Sequence, residues 1–176
     1  AGPDPALFTR ADNGWAAGLD SLDRFVKNTY EILSPLNELS AQLPMTGHEF
    51  LTLDYTVQRT TFGQGKDAFQ IIINTGSTNF VCSSRLGGKT VLPPFGFLAE
   101  SPTFLAFTAL TWNKLTYSTP TLFTLRSLDG KPISRSHQVR IYHGFGDTRL
   151  RLGKVTHPVS RDALLAAKPG RPRQGL

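Results

Sequence analysis

Hydrolytic chemistry in this chain would have to start from its carboxylates. Acid–base cleavage of an acetal needs two of them, one protonated and one ionised, about 5 to 9 Å apart. Thirteen Asp and Glu are present, and local structure accounts for most of those in the part that reads as folded. Asp20 and Asp23 open a helical stretch, where capping and the helix dipole favour acids. Glu31 and Glu38 fall on a helix exterior, and Asp67 and Asp129 sit in turns. Glu49, Asp54, Glu100 and Asp147 remain, none in a motif that commits it to catalysis. No catalytic residue is assigned.

The other reactive side chains are no better organised. His48, His137, His143 and His157 lack the i, i+4 or paired-cysteine spacing of a zinc site, so no metal is expected. Cys82 is the one cysteine; within Phe80-Val81-Cys82 it reads as a small core residue, and an internal disulfide is ruled out. No Gly-x-Ser-x-Gly elbow frames a nucleophilic serine. Gly63-Gln64-Gly65, Gly87-Gly88-Lys89 and Gly144-Phe145-Gly146 read as hairpin turns, because none leads from a strand into a helix, and no cofactor is expected. Binding chemistry leaves more. Trp15, Trp112 and Tyr117 are the aromatics that could lie flat against a pyranose ring, with Trp112 and Tyr117 the better pair. The opposing reading is that Trp112 continues the alternation of Phe104 to Leu110 and belongs to the core.

The elements that carry these residues divide the chain near Gly47. Pro3, Pro5, Gly14 and Gly18 break any period in residues 1–18. Asp20 is placed to cap a helix in which Leu22, Phe25, Val26, Tyr30 and Leu33 recur at three- and four-residue steps. Pro35 should end or kink that helix, with Ser34 capping a short second one to about Gln42. The apolar stripe cannot be left alone and must dock, on the sandwich or on a domain outside this chain.

From Glu49 to Leu152 short apolar runs alternate with turn signals. Val57 to Phe62 and Phe69 to Asn74 flank a glycine-containing loop as a hairpin. Phe104 to Trp112 is apolar on both faces, as a central strand requires. Asp129-Gly130 turns the chain between Leu122–Arg126 and His137–Tyr142. Arg149-Leu150-Arg151-Leu152 suits an edge strand. The expected fold is mainly β: an antiparallel β-sandwich of about eight strands preceded by one long and one short helix. Its divisions are 1–47 for the irregular segment and helices, 48–155 for the sandwich, and 156–176 for a basic, flexible tail.

A chain of 176 residues with 39% hydrophobic content is enough for one full core. Its net charge of +6 is unevenly placed. Residues 1–148 carry twelve Lys and Arg against twelve Asp and Glu, whereas 149–176 carry seven against Asp162 alone. From Pro158 onward no aromatic interleaves with the bases, so nucleic acid is not expected as a partner. No run approaches the ~18 to 20 apolar residues of a bilayer-crossing helix, and no basic-then-apolar leader opens the chain, so no membrane partner is expected.

Several blocks, taken in order, resemble the C-terminal portion of large (β/α)8-barrel glycoside hydrolases. Leu43-Pro44-Met45-Thr46-Gly47-His48-Glu49-Phe50-Leu51-Thr52 is similar to the link leaving the last barrel helix. Val57 to Asn74 is similar to the first hairpin of the sandwich that follows the barrel. Val91-Leu92-Pro93-Pro94-Phe95-Gly96-Phe97-Leu98 is similar to the segment after it, and Ser127-Leu128-Asp129-Gly130-Lys131-Pro132 to a turn those sandwiches carry. The likeness spans most of residues 19–152. It implies a non-catalytic sandwich that braces the catalytic barrel of the same protein, with Leu19–Gln42 as the eighth barrel helix. Catalytic groups of such barrels sit on loops after the strands, so it also implies no hydrolysis by this chain alone. Asp12, Asn13 and Trp15 would come from the last such loop and could touch substrate, as could Trp112 and Tyr117. The alternative is a free-standing carbohydrate-binding or protein-interaction module, in which aromatics rather than the helix stripe would meet the partner.

Overall fold

The structure, a computed structural model, describes residues 8–166. Asp20 caps as expected: its carboxylate accepts the Asp23 N–H at 3.0 Å, and helix α1 follows over Ser21–Ser40. The expected second helix is the continuation of the first, with Pro35 inside α1. An interior proline costs about 3 kcal/mol. Pro35, Ile32 and Leu36 are buried together on one face of α1, and the contacts of Ile32 and Leu36 with the sheet hold the turns in line.

Strands follow in close succession: β1 (Met45–Phe50), β2 (Val57–Phe62), β3 (Phe69–Asn74), β4 (Phe80–Ser84), β5 (Gly88–Leu92) and β6 (Phe97–Glu100). Two long strands, β7 (Phe104–Trp112) and β8 (Leu115–Ser127), lead to β9 (Gln138–Phe145), β10 (Arg149–Leu152), β11 (Val155–Pro158) and β12 (Asp162–Ala166). The chain is therefore mainly β, with antiparallel sheets after a helix, and its described residues form twelve strands where spacing suggested about eight. The main sheet runs β1-β2-β3-β6-β7-β8-β9-β12; hairpin β4–β5 joins it through β7, and β10–β11 forms a separate pair.

The expected hairpin is β2–β3, in unbroken register from Val57↔Asn74 to Phe62↔Phe69. β7 is central as read, paired to β6, β8 and β5. It is also sharply bent. Residues five apart point to opposite faces of a straight strand, yet the rings of Phe107 and Trp112 stack with centroids 4.9 Å apart. The fold-back lies where the β7–β8 register shifts, between Ala109 and Thr111. The extra residues of this shift lie in β8, where Thr116 to Thr121 stand against Thr111 to Ala109, and Pro120 among them cannot donate to the ladder and is tolerated at such a break.

The bend creates two cores. One lies between the main sheet and a second layer: Ile72, Leu98, Leu105, Phe107, Phe123, Leu125 and Ile141 face Leu92, Trp112, Tyr117 and Leu150. The other lies between the sheet's opposite face and α1, where Ile32 and Leu36 meet Phe69, Phe97, Phe104, Leu122 and Phe145.

Part of the segment expected to be a flexible tail is sheet. β12 pairs with β9 from Asp162↔Tyr142 to Ala166↔Gln138, and its alternation sends Ala163 and Leu165 onto the core. That five-residue alternation was masked in the sequence by the surrounding bases and prolines. The remainder of the tail, residues 167–176, lies outside the described residues.

Candidate functional site

Helix α1 is mounted on the sheet by Ile32 and Leu36 and, beside them, by two buried polar side chains. Asn28 is fully buried; its amide donates to the Phe8 carbonyl at 2.8 Å, and its Oδ1 accepts the Tyr142 hydroxyl at 2.7 Å. One turn on, Glu31 receives a bidentate pair from Arg140 on β9, at 2.7 and 2.9 Å, and a third bond from Lys27 at 2.8 Å. Arg140 also reaches Asp162 on β12 at 3.0 Å. Burial alone would push the Glu31 carboxyl up, but the Arg140 and Lys27 bonds outweigh it and hold it below the ordinary range. Burial dominates at Asp162, with the Glu31 charge adding to it, so that carboxyl is raised.

An N-terminal arm clasps the end of β9, and it contains three of the predicted substrate-contacting residues. Asp12 pairs with Arg10 at 2.6 Å, and its carbonyl accepts the Gly146 N–H at 3.0 Å. The Asn13 side chain donates to the Gly146 carbonyl at 3.0 Å. Gly14 has a positive φ of 84°, and a Cβ there would stand 2.1 Å from the Gly144 oxygen, so only glycine fits this crossing. Trp15 is half-exposed under Lys27, whose Nζ lies 4.3 Å from the ring centre. The structure does bring Asp12, Asn13 and Trp15 together, but it engages the polar groups of Asp12 and Asn13 internally.

Trp112 and Tyr117 lie elsewhere and are inaccessible. Trp112 is 0% exposed, stacked on Phe107, and donates to Ser84 at 3.4 Å; Tyr117 is 3% exposed. Neither presents a face to a sugar ring. The bend in β7 folds both into the inter-layer core, an event that strand alternation alone does not reveal.

The unassigned acids each have a local partner. Glu49 pairs with Arg59 at 2.8 Å, Asp54 accepts from Thr56, and Asp147 pairs with Arg149 at 2.6 Å. Glu100 is buried and accepts from Gln70, Ser84 and the Arg85 N–H. Cys82 is half-buried, and burial with the nearby Glu100 charge pushes its thiol up to about 12, far from a nucleophile. Among the described residues no group of three or more His, Cys, Asp and Glu is placed to hold a metal. No described helix is long and apolar enough to cross a membrane.

The outer face of α1 is what stands open. Leu22, Val26, Tyr30 and Leu33 are 69%, 56%, 63% and 48% exposed, with Phe25 beside them at 39%. With Thr29, Ser34, Asn37 and Glu38, most of these side chains line a shallow depression of about 600 Å³. These are the residues whose period predicted the helix, and they do not dock on the sandwich. The internal bonding of Asn28 and Glu31 explains why: it fixes the roll of the helix. The Lys27/Glu31 spacing was visible in sequence, whereas the partner Arg140 stands 109 residues away. No protein-family model, curated protein or solved structure matches the chain.

Proposed function

We propose that the chain is a non-catalytic β-sandwich domain that braces the catalytic barrel of a glycoside hydrolase, with the outer face of α1 as the docking surface. The exposed stripe carries this reading. Each such side chain gains about 1.5 to 3 kcal/mol when buried, before entropy is counted, and a contiguous face of five is more than a monomer ordinarily leaves in water. A barrel helix presents this kind of stripe to the strands it packs on. The order of the resembling blocks, running from α1 into the sandwich, supports the barrel as the occupant. The rival is a free-standing carbohydrate-binding or protein-interaction module, and the burial of Trp112 and Tyr117 counts against its carbohydrate-binding form.

The first test is the coding sequence upstream of residue 1, where a (β/α)8 domain in the same frame is expected. In that whole product, amide hydrogen exchange across residues 22–33 should be slower than in this chain alone. An upstream frame without a barrel, or equal exchange in both, overturns the reading. Turnover of aryl glycosides by this chain, abolished by Glu49→Gln, overturns its non-catalytic part.

A further inference from the structure

Three turns from distant parts of the sequence meet at one end of the second layer, and all are basic. The β7–β8 turn is Asn113-Lys114, both with positive φ (44° and 64°), the two-residue geometry that closes a twisted hairpin. The Asn113 main-chain N–H donates to the Gly87 carbonyl of the β4–β5 turn at 3.0 Å. Its side chain donates to the Arg151 carbonyl on β10 at 2.7 Å, next to the Gly153-Lys154 turn. Gly87 is pressed so close to Trp112 that a Cβ would lie 2.1 Å from the indole nitrogen, which makes the junction tight. Arg85, Lys89, Lys114 and Lys154 are exposed around it, with Arg151 half-exposed.

Their charges are not cancelled. Elsewhere Arg10, Lys27, Arg59, Arg126, Arg140 and Arg149 each hold a carboxylate. Among the described residues these five make no ion pair; Arg85 and Arg151 donate only to carbonyls. None of residues 84–90, 111–116 and 151–156 is acidic. Among the described residues Glu100 is buried, Asp147 is closed by Arg149, and Asp67 adjoins the Ala68 carbonyl that Arg85 reaches, so the uncompensated charge rests on Lys89, Lys114, Arg151 and Lys154. Like charges gathered without counter-charges raise a positive potential that favours a polyanion.

We infer that this cluster binds an anionic polysaccharide, one whose carboxylates or sulfates repeat along the chain. Spread-out cations on turn tips suit a repeating charge better than a single small anion, which would need a closed cradle of N–H groups. Single-stranded nucleic acid would want exposed rings for its bases to stack on, and the aromatic at the junction, Trp112, is buried. The choice of polysaccharide among polyanions rests on the proposed function; the cation cluster does not.

Calorimetry of this chain against polygalacturonate, dextran sulfate, neutral dextran and a 20-base-pair DNA duplex tests it. Binding to either anionic glycan is expected, weakening at least tenfold as salt rises from about 50 to 200 mM. The exposed double substitution Lys114→Asp/Lys154→Glu should weaken it by at least tenfold with thermal unfolding unchanged, while Lys131→Glu, beyond the opposite end of β8, should not. If that double variant melts early, the milder Lys154→Gln replaces it, with a smaller loss expected. No binding, binding indifferent to these changes, or equal binding to neutral dextran overturns the inference. Tighter binding to duplex DNA also overturns it, and takes the carbohydrate reading with it, whereas anionic-glycan binding without an upstream barrel would leave the cluster standing and sink the bracing reading alone.

Discussion

Helix α1 and strand β7 both carry the apolar period of their secondary structure, and they do opposite things with it. In β7 the apolar residues are inside, Phe104 to Ala109 on both faces and Trp112 beyond the bend. In α1 the regular stripe is outside, and the residues inside include an amide and a carboxylate. Periodicity states that a face exists, but which way the face points is decided by partners. β7 is paired along both edges, by β8 on one and by β6 and then β5 on the other, which leaves its side chains no choice. α1 touches the sheet along one line only, and there the bonds of Asn28 and Glu31 to Tyr142 and Arg140 set its roll.

The comparison breaks most visibly at Trp112. Removing a fully buried, stacked ring should cost about 3 to 5 kcal/mol, read as a lower midpoint in urea. A cost under about 1 kcal/mol would mean the β7 bend is not as tightly filled as described.

Glu31→Ala should come next, at about 2 kcal/mol. Stranding a buried partner costs more in a fully dry site, but Arg140 keeps about a third of its side chain in water. This effect has a pH signature. The folded Glu31 carboxyl is depressed, so its contribution is complete above the unfolded value near 4.3 and disappears as pH falls through the folded value. The gap between parent and variant should therefore be constant from pH 7 to 5 and close on further acidification. A gap that widens in acid would show that Glu31 is not held by cations.

The smallest effect should be at the outer face. Leu33→Ser in this chain should move stability by no more than about 0.5 kcal/mol in either direction. A loss of 2 kcal/mol or more would place Leu33 in a contact within the chain and remove the contrast with β7.

What was legible in the sequence was local. Asp20 with Asp23 three residues on, the β2–β3 hairpin and the Asp129-Gly130 turn each depend on a few adjacent residues, and each stands where it was read. Pro35 misled because a local rule was outweighed by Ile32 and Leu36 packing on the sheet. β12 was missed because a strand at a sheet edge needs only two inward residues, here Ala163 and Leu165. Among the candidate site residues, Asp12 and Asn13 were assigned to a ligand where the backbone of Gly146 takes their bonds. That partner is more than 130 positions away, beyond the reach of any window.

The fold-back in β7 has a mechanical meaning. In a sandwich whose layers are separate sheets, the layers can slide or part with only side chains resisting. Here β7 and β8 each begin in one layer and finish in the other, so the two layers are joined by covalent chain at their seam. Prising them apart would require straightening both strands at Ala109–Thr111 and Pro120, which tears the Phe107–Trp112 stack at the same stroke. The seam turns two plates into a single folded one, stiff against opening at that edge and free to breathe only at the opposite edge.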